Sequence, residues 1–259
     1  MPNHFRGPAA PHAPDERNAA FELHLRYESE SASSEATAKH FNSVCNLGIG
    51  ADSPYRHAYT RWKSLWDDNC RRELAFDPRL LIGLSTPSLW ETGITLNPTY
   101  GTPVIPGSAC KGLARHFLAD QLSSSNAGPL LTDEQINALF ESTDRGLKVH
   151  FYDAWWIPDS ASGTGRADRP LVPEVTTPHH PVSPATPFDS PRPIPQIAAH
   201  GKFLFVAEGS SAVWVRFALD LLQVALEREG IGARTPEYGR VAETNPTQRN
   251  EHEATPDHH

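Results

Sequence analysis

A chain of 259 residues with 38% hydrophobic content holds one elaborated domain or two small ones, with the core drawn from a few well-patterned stretches. Its formal net charge of −8 excludes a protein that coats nucleic acid by charge alone, so any RNA or DNA contact must be local. Three unevenly spaced cysteines, Cys45, Cys70 and Cys110, form neither a disulfide framework nor a CxxC zinc pattern and fit a reducing cytoplasm.

Residues 1–20 are rich in proline and alanine, lack the apolar core of a secretory signal, and are expected to be disordered. No run is long enough to span a membrane. Residues 21–78 read as an N-terminal extension. Within it the apolar residues Tyr55, Tyr59, Trp62, Leu65, Trp66 and Leu74 recur at helical steps between Pro54 and Phe76, which predicts a packing helix whose tryptophans belong to a core stripe. A main domain is expected over 79–242. Leu80–Thr86 (LLIGLST) reads as a buried strand, and TGITLNPTYG as a strand or hairpin arm broken at Asn97-Pro98. Pro106-Gly107 make a turn, with Ser108 as N-cap of a helix carrying Leu113, Phe117, Leu118 and Leu122. Thr132 and Gln135 form a capping-box pattern ahead of a short helix, Thr132–Phe140.

Lys148–Pro158 is aromatic and partly alternating, as a strand would be. The stretch 158–200 holds ten prolines and reads as an irregular insert. Lys202–Gly209 is a strand, Ala212–Glu229 a helix and YGRVAE a last strand, followed by a polar tail over 243–259. The resulting order, strand, helix, strand, strand, helix, strand, predicts an α+β fold of the ferredoxin-like βαββαβ type shared with RNA-recognition modules. Strand order alone assigns no function.

Two motifs carry candidate chemistry. In GIGARTPEYGR (Gly230 to Arg240) the glycines follow a helix and precede a strand, the reverse of a phosphate-binding P-loop or a dinucleotide fingerprint. Gly230 reads as a helix C-cap and Gly232 as easing the chain reversal. The cluster as a whole, with Gly239, Arg234 and Arg240 for phosphates and Tyr238 for stacking on a base, reads as a loop that grips RNA backbone. In PVIPGSACKGLARHF a helix starting at Ser108 would aim free N–H groups outward, with Lys111 and Arg115 one turn apart, as a phosphate seat or simply a capped helix with solvated cations. His179-His180 and His258-His259 lack a second ligand cluster with metal spacing. Asp153 has no carboxylate partner for acid–base work and reads as a loop brace.

These residues resemble the RAMP superfamily of CRISPR effector proteins, and within it the sixth-subunit family of the type III-B Cmr complex. The likeness runs in order through Glu91–Arg115 (ETGITLNPTYGTPVIPGSACKGLAR), Asp153, Leu171–His180 (LVPEVTTPHH), PRPIPQIAAHGKFLFVAEG and the glycine loop. It implies a ferredoxin-like RAMP fold with an N-terminal helical extension and long loop inserts. It further implies a non-catalytic scaffold, without cofactor or metal, that holds guide RNA (crRNA) and target RNA near the guide's 3′ end beside other Cmr subunits in the cytoplasm. Carried onto this chain, its RNA contacts are Ser108, Lys111, Arg115, Gly230, Gly232, Arg234, Tyr238 and Gly239, to which the residue chemistry of the loop adds Arg240. The chain departs from the pattern where Arg234 replaces a usual lysine and where Pro236-Glu237 run into Tyr238 without a further glycine. Glu237 then sets a negative charge beside the phosphate path, leaving more of the contact to Arg234 and Arg240. Two other classes stay open: a metal-independent guide-processing endoribonuclease, with His116 as the acid–base candidate, and a protein-only assembly factor.

Overall fold

A computed structural model describes residues 17–25, 33–85, 92–124, 139–140, 149–161, 166–177 and 193–242. Most of the predicted 1–20 disorder, the 243–259 tail, His179-His180, His258-His259 and all of the Thr132–Phe140 helix except Leu139 and Phe140 lie outside those residues.

Helix α1 (Ala19–Leu25) is opened by Asn18, whose side-chain oxygen accepts from the N–H groups of Ala20 and Phe21 while its amide donates to the carbonyls of Pro98 and Thr99. Helices α2 (Ser34–Cys45) and α3 (Pro54–Ser64) begin at serine N-caps, Ser33 and Ser53. The strands are β1 (Arg71–Ala75), β2 (Val104–Ile105), β3 (Val149–Phe151), β4 (Ala154–Trp156), β5 (Leu171–Thr176), β6 (Ile194–Ala199) and β7 (Lys202–Gly209). The remaining helices are α4 (Gly107–Ser124) and α5 (Ala212–Arg228). The main antiparallel sheet runs β1-β7-β4-β2, with β3 also on β7; β5 and β6 form a separate antiparallel pair packed on α2. The fold is thus mixed helix and sheet, with every paired strand antiparallel among the described residues.

Strand β7 is the spine: Phe203 to Ala207 are all buried. Alternation along it defines two faces. Leu204 is level with Glu73 and Trp155, and Glu73 pairs with Lys63 of α3 at 2.6 Å. Phe205 is level with Arg72, which reaches Asp220 of α5 at 2.8 Å. The sheet is therefore layered between α3 on one side and α5, with α4 beside it, on the other.

The α3 face is an aromatic block. Trp155 stacks against Trp62 (5.7 Å, 20°) and Tyr55 (5.9 Å, 17°), and Trp66 packs on Tyr152 (5.0 Å). The Trp62 and Trp66 stripe is core, as its spacing predicts, but α3 ends at Ser64. Leu74, expected on the same helix face, belongs to β1 instead. The sequence there, Arg-Arg-Glu-Leu-Ala, hides a strand because its charged side chains are paired off sideways, to Asp68, Asp220 and Lys63.

Three other expectations change. Leu80–Ile82 is fully buried, yet only Leu80 bridges a strand residue, Ala199; the carbonyls of Leu81 and Ile82 accept from Ala233 and Thr95. Gly83, at φ 73°, breaks the extended path. The aromatic strand Lys148–Pro158 divides into β3 and β4 at Tyr152-Asp153, and the last strand shrinks to one bridge, Phe76 to Val241. Conversely, the proline-rich stretch contains β5 and β6: Pro173 and Pro195 sit in the two-stranded ribbon, where half of the backbone N–H groups face away from the partner.

Tyr55 anchors α3 to the sheet by donating its buried hydroxyl to the Trp156 carbonyl at 2.5 Å. Tyr55→Phe is expected to lower stability by about 1 kcal/mol in urea denaturation, with unchanged secondary structure by circular dichroism.

Candidate nucleic-acid interface

Helix α5 buries Val215, Ala218, Leu219, Leu222, Ala225 and Leu226, a helical stripe that holds it on the sheet and fixes where its C-terminus releases the chain. Gly230 (φ 77°) ends it in the left-handed conformation expected of a C-cap glycine, its N–H donating to the Ala225 carbonyl at 3.2 Å. The loop then folds back on itself and on residues 79–81. Ile231 N–H donates to Gly239 O (2.8 Å), Ala233 N–H to Leu81 O (2.8 Å) and Gly239 N–H to Arg79 O (2.7 Å). Glu237 and Tyr238 N–H both donate to Arg234 O at 2.9 Å.

The glycines are explained by these contacts. A β-carbon on Gly232 would lie 2.2 Å from the Leu81 carbonyl oxygen, and one on Gly239 2.0 Å from that of Ile231; both residues also have positive φ, 94° and 73°. Glycine here permits backbone to touch backbone within the protein, and those loop N–H groups are already committed. What the loop offers outward is side chains.

Arg234 (φ 55°) donates from Nη2 to the Thr177 carbonyl (3.1 Å) and lies 3.9 Å from Glu237, so the acid expected beside the phosphate path faces this arginine. Arg240 is exposed and donates its Nε to Thr235 O at 3.1 Å. Tyr238 is half-buried against Leu81, Val172 and Ala198, and burial together with Glu174 and Glu237 raises its hydroxyl pKa. Arg79 and Glu174 form an ion pair that ties the loop's floor to β5.

The second motif lies elsewhere. Helix α4 begins at Gly107, one residue earlier than expected, and the Pro106 carbonyl accepts from Ala109 and Cys110. Ser108 is therefore inside the first turn, exposed, and not the cap. Asp153 does the capping: its Oδ1 accepts the Gly107 N–H at 2.8 Å, the bracing role its sequence context predicts. Gly107 is forced by the Phe151 carbonyl, 2.2 Å from where a β-carbon would sit. Lys111 is half-buried and Arg115 exposed, four residues apart on one side of α4. The helix end thus faces a carboxylate before it can face a phosphate.

The two motifs are not neighbours. Gly107 lies by Phe151, level with Ala207 of β7, while Val241 is level, through Phe76, with the Gly201 end. Six residues of strand separate these levels, about 20 Å.

Two residues beside the glycine loop carried no signal that sequence reasoning used, Arg79 and His200. Trp156 Nε1 donates to the His200 carbonyl (2.8 Å), and His200 Nδ1 is buried without a partner among the described residues. Burial and the Arg79 cation lower the His200 pKa, against an opposing pull from Asp77. Burial pushes the Cys45 thiol up to about 12, and burial with Asp153 does the same for Cys110, so neither is an available thiolate. Among the described residues no three His, Cys, Asp or Glu side chains gather as a metal site, and no helix is long and apolar enough to cross a membrane.

A family model for the RAMP superfamily matches residues 76–241, from the Phe76 bridge through the glycine loop; the chain belongs to the RAMP superfamily. Within it, the chain is similar to the CRISPR system Cmr subunit Cmr6 of Pyrococcus furiosus, 26% identical over 64% of this chain and 65% of that protein. Cmr6 of Saccharolobus solfataricus is 29% identical over 42% of this chain and 34% of that protein. The chain therefore matches less than two thirds of either relative's length. In overall fold it resembles a chain of the type III-B Cmr-β complex bound to cognate target RNA, with a TM-score of 0.61 and 22% identity over 81% of this chain and 71% of that one.

Two outcomes check the site's construction. Gly239→Ala is expected to cost at least about 2 kcal/mol in denaturant unfolding, from positive φ and the Ile231 clash, whereas Gly112→Ala, on α4 with open space around it, should gain about 0.5–1 kcal/mol. For His200, the folded-state pKa lies below the unfolded one, so the unfolded chain binds the proton first and stability falls as pH drops through about 6.5, levelling off below the folded pKa. A thermal-denaturation series from about pH 7.5 to 5.5 should show a shallower loss for His200→Gln than for the native chain.

Proposed function

We propose that this protein is a non-catalytic, RNA-binding structural subunit of a type III-B CRISPR (Cmr) ribonucleoprotein, holding guide RNA and target RNA near the guide's 3′ end in antiviral defence. Its partners are then the two RNAs and neighbouring Cmr subunits in the cytoplasm. The observation that carries the reading is the glycine loop. It ends the family match, its backbone is hydrogen-bonded into a platform, and that platform carries an exposed Arg240 and an Arg234 half-buried beside Thr177 and Glu237. Fixed arginines beside a half-buried tyrosine suit backbone contact, which is what a scaffold needs when base pairing between guide and target reads the sequence. Similarity to two Cmr6 proteins supports the same assignment.

A ferredoxin-like core belongs to this reading. The order Val241, β1, β7, β4, with α4 and α5 each linking strands, matches a βαββαβ core whose first strand is β1 and whose last is reduced to the Val241 bridge. Exposed apolar side chains on α5, Val213 and Phe217 beside Trp214, are of the kind subunits bury against each other.

The test is a reconstituted complex carrying Arg234→Ala and Arg240→Ala together. Two lost charge-assisted contacts, about 1.5 kcal/mol each, should weaken guide retention roughly a hundredfold and expose the guide's 3′ segment to nuclease. Unchanged retention and protection would sink the RNA-binding role. Metal-free cutting of RNA by the isolated chain, abolished by His116→Ala, would replace the scaffold with an endoribonuclease.

A further inference from the structure

Beside the glycine loop lies a second group of polar residues that the two sequence motifs do not include. The Phe76–Val241 bridge extends the β1–β7 register: Phe76 N–H donates to Gly201 O, Asp77 N–H to Arg240 O and Ala242 N–H to Ala75 O. Ala242, Ala75 and Lys202 then form one row, Val241, Phe76 and Gly201 the next, and Arg240 and Asp77 stand opposite each other in the third. Residues two apart along a strand share a face. Asp77, in line with Glu73, and Lys202, in line with Leu204, therefore take the α3 side of this corner, and Asp77 acts electrostatically on His200 in the adjoining turn.

Lys202 is exposed and has no ion pair among the described residues. That sets it apart from Lys63, Arg56, Arg71, Arg72, Arg79, Arg166 and Arg234, each of which faces a carboxylate. Its backbone is held from several sides. Lys202 N–H donates to Ser160 Oγ (2.8 Å), its carbonyl accepts from Ile157 N–H (2.8 Å), and His200 N–H donates to Pro170 O (2.9 Å). Gly201, at φ 108°, leaves no room for a β-carbon, which would lie 2.8 Å from Trp156 Nε1 and 2.7 Å from Ser160 Oγ. A rigid turn thus presents a solvated ammonium about 12 Å, two inter-strand spacings across and two residues along, from the backbone position that presents Arg240.

We propose that Lys202 is a second phosphate contact of the RNA site. The RNA backbone leaves Arg240 and crosses the β1 edge to the His200–Lys202 turn on the α3 side of the sheet. Asp77, exposed between the two cations, keeps the backbone off the middle of this corner, so the strand is held at two points rather than along a continuous basic groove. The inference rests on the RNA-binding reading above and names a contact outside both motifs.

The salt dependence of binding counts such contacts directly, because each phosphate neutralised on a single strand contributes about 0.7 to the slope of log K against log salt. The probe is labelled oligouridylate titrated with the full-length chain, compared with Lys202→Ala, Arg240→Ala, the double variant and Lys202→Arg. Lys202→Ala and Arg240→Ala should each reduce the slope by about 0.7, the double variant by about 1.4, and Lys202→Arg should restore it. The thermal midpoint of Lys202→Ala should stay at the native value, since its side chain has no ion pair among the described residues. A slope lowered by Arg240→Ala but not by Lys202→Ala overturns this inference and leaves the RNA-binding reading standing. Binding that is absent in the native chain, or that none of these changes alters, overturns both.

Discussion

The carbonyl oxygens of Leu81 and Ile231 occupy the space that β-carbons at positions 232 and 239 would need, and much of this corner of the molecule follows from that close approach. Because backbone meets backbone there, the chain leaving α5 is hydrogen-bonded to residues 79–81, which are bonded in turn to Ala199 at the end of β6. One loop so joins the last helix, the buried Leu80–Ile82 segment and the floor beneath Tyr238. It also returns Val241 to Phe76, closing the edge of the main sheet. A glycine-rich loop is usually expected to bend its backbone toward a ligand. Here the same residue type is needed to bring the protein's own strands together, and the ligand contact proposed above falls to the arginines the loop carries.

That division fits the charge. The formal net charge is −8, and among the described residues Arg56, Arg71, Arg72, Arg79 and Arg166 each face a carboxylate. Exposed pairs of this kind contribute little to stability individually, yet they remove arginine from the set available to an anionic partner. Lys202 and Arg240, exposed and without ion pairs among the described residues, therefore count for more than their number implies. Under the RNA-binding role proposed above, a chain with this balance would hold RNA at points, with geometry supplied by rigid turns.

Sequence patterns were legible where one signal dominated. Helix α5 was plain from its apolar period and β7 from its run of buried residues, and Gly230 was recognisable as a cap from its position alone. The charged strand β1 was not, because its pattern of Arg, Arg, Glu looks solvent-facing until each partner is known. Strands β5 and β6 were concealed by prolines, which a two-stranded ribbon tolerates because each strand has a free edge. At the site, the arginines and tyrosine could be nominated from residue type, but the work of Gly232 and Gly239 depends on Leu81 and Ile231 arriving opposite them. Nothing local to the loop encodes that meeting. Asp153 is similar: its role as the cap of α4 arises from a residue 46 positions away in the chain.

Under the RNA-binding role proposed above, the aromatic block on the α3 face limits how RNA can approach. In an RNA-recognition module the open face of the sheet stacks bases on aromatic side chains. Here Tyr55 and Trp62 already stack on Trp155 of the sheet, and Trp66 and Tyr152 extend the packing toward the end of α3. The opposite face is occupied by α5. With helices on both faces of the described sheet, the RNA contact proposed above falls to its rims. The rims that carry basic residues lie about 20 Å apart along β7, at the start of α4 and at the glycine loop. The α4 rim presents its helix end to Asp153, whereas the glycine-loop rim presents Arg234, Arg240 and Lys202 on locked backbone. Of the two, the glycine-loop rim better suits the phosphate contact proposed above.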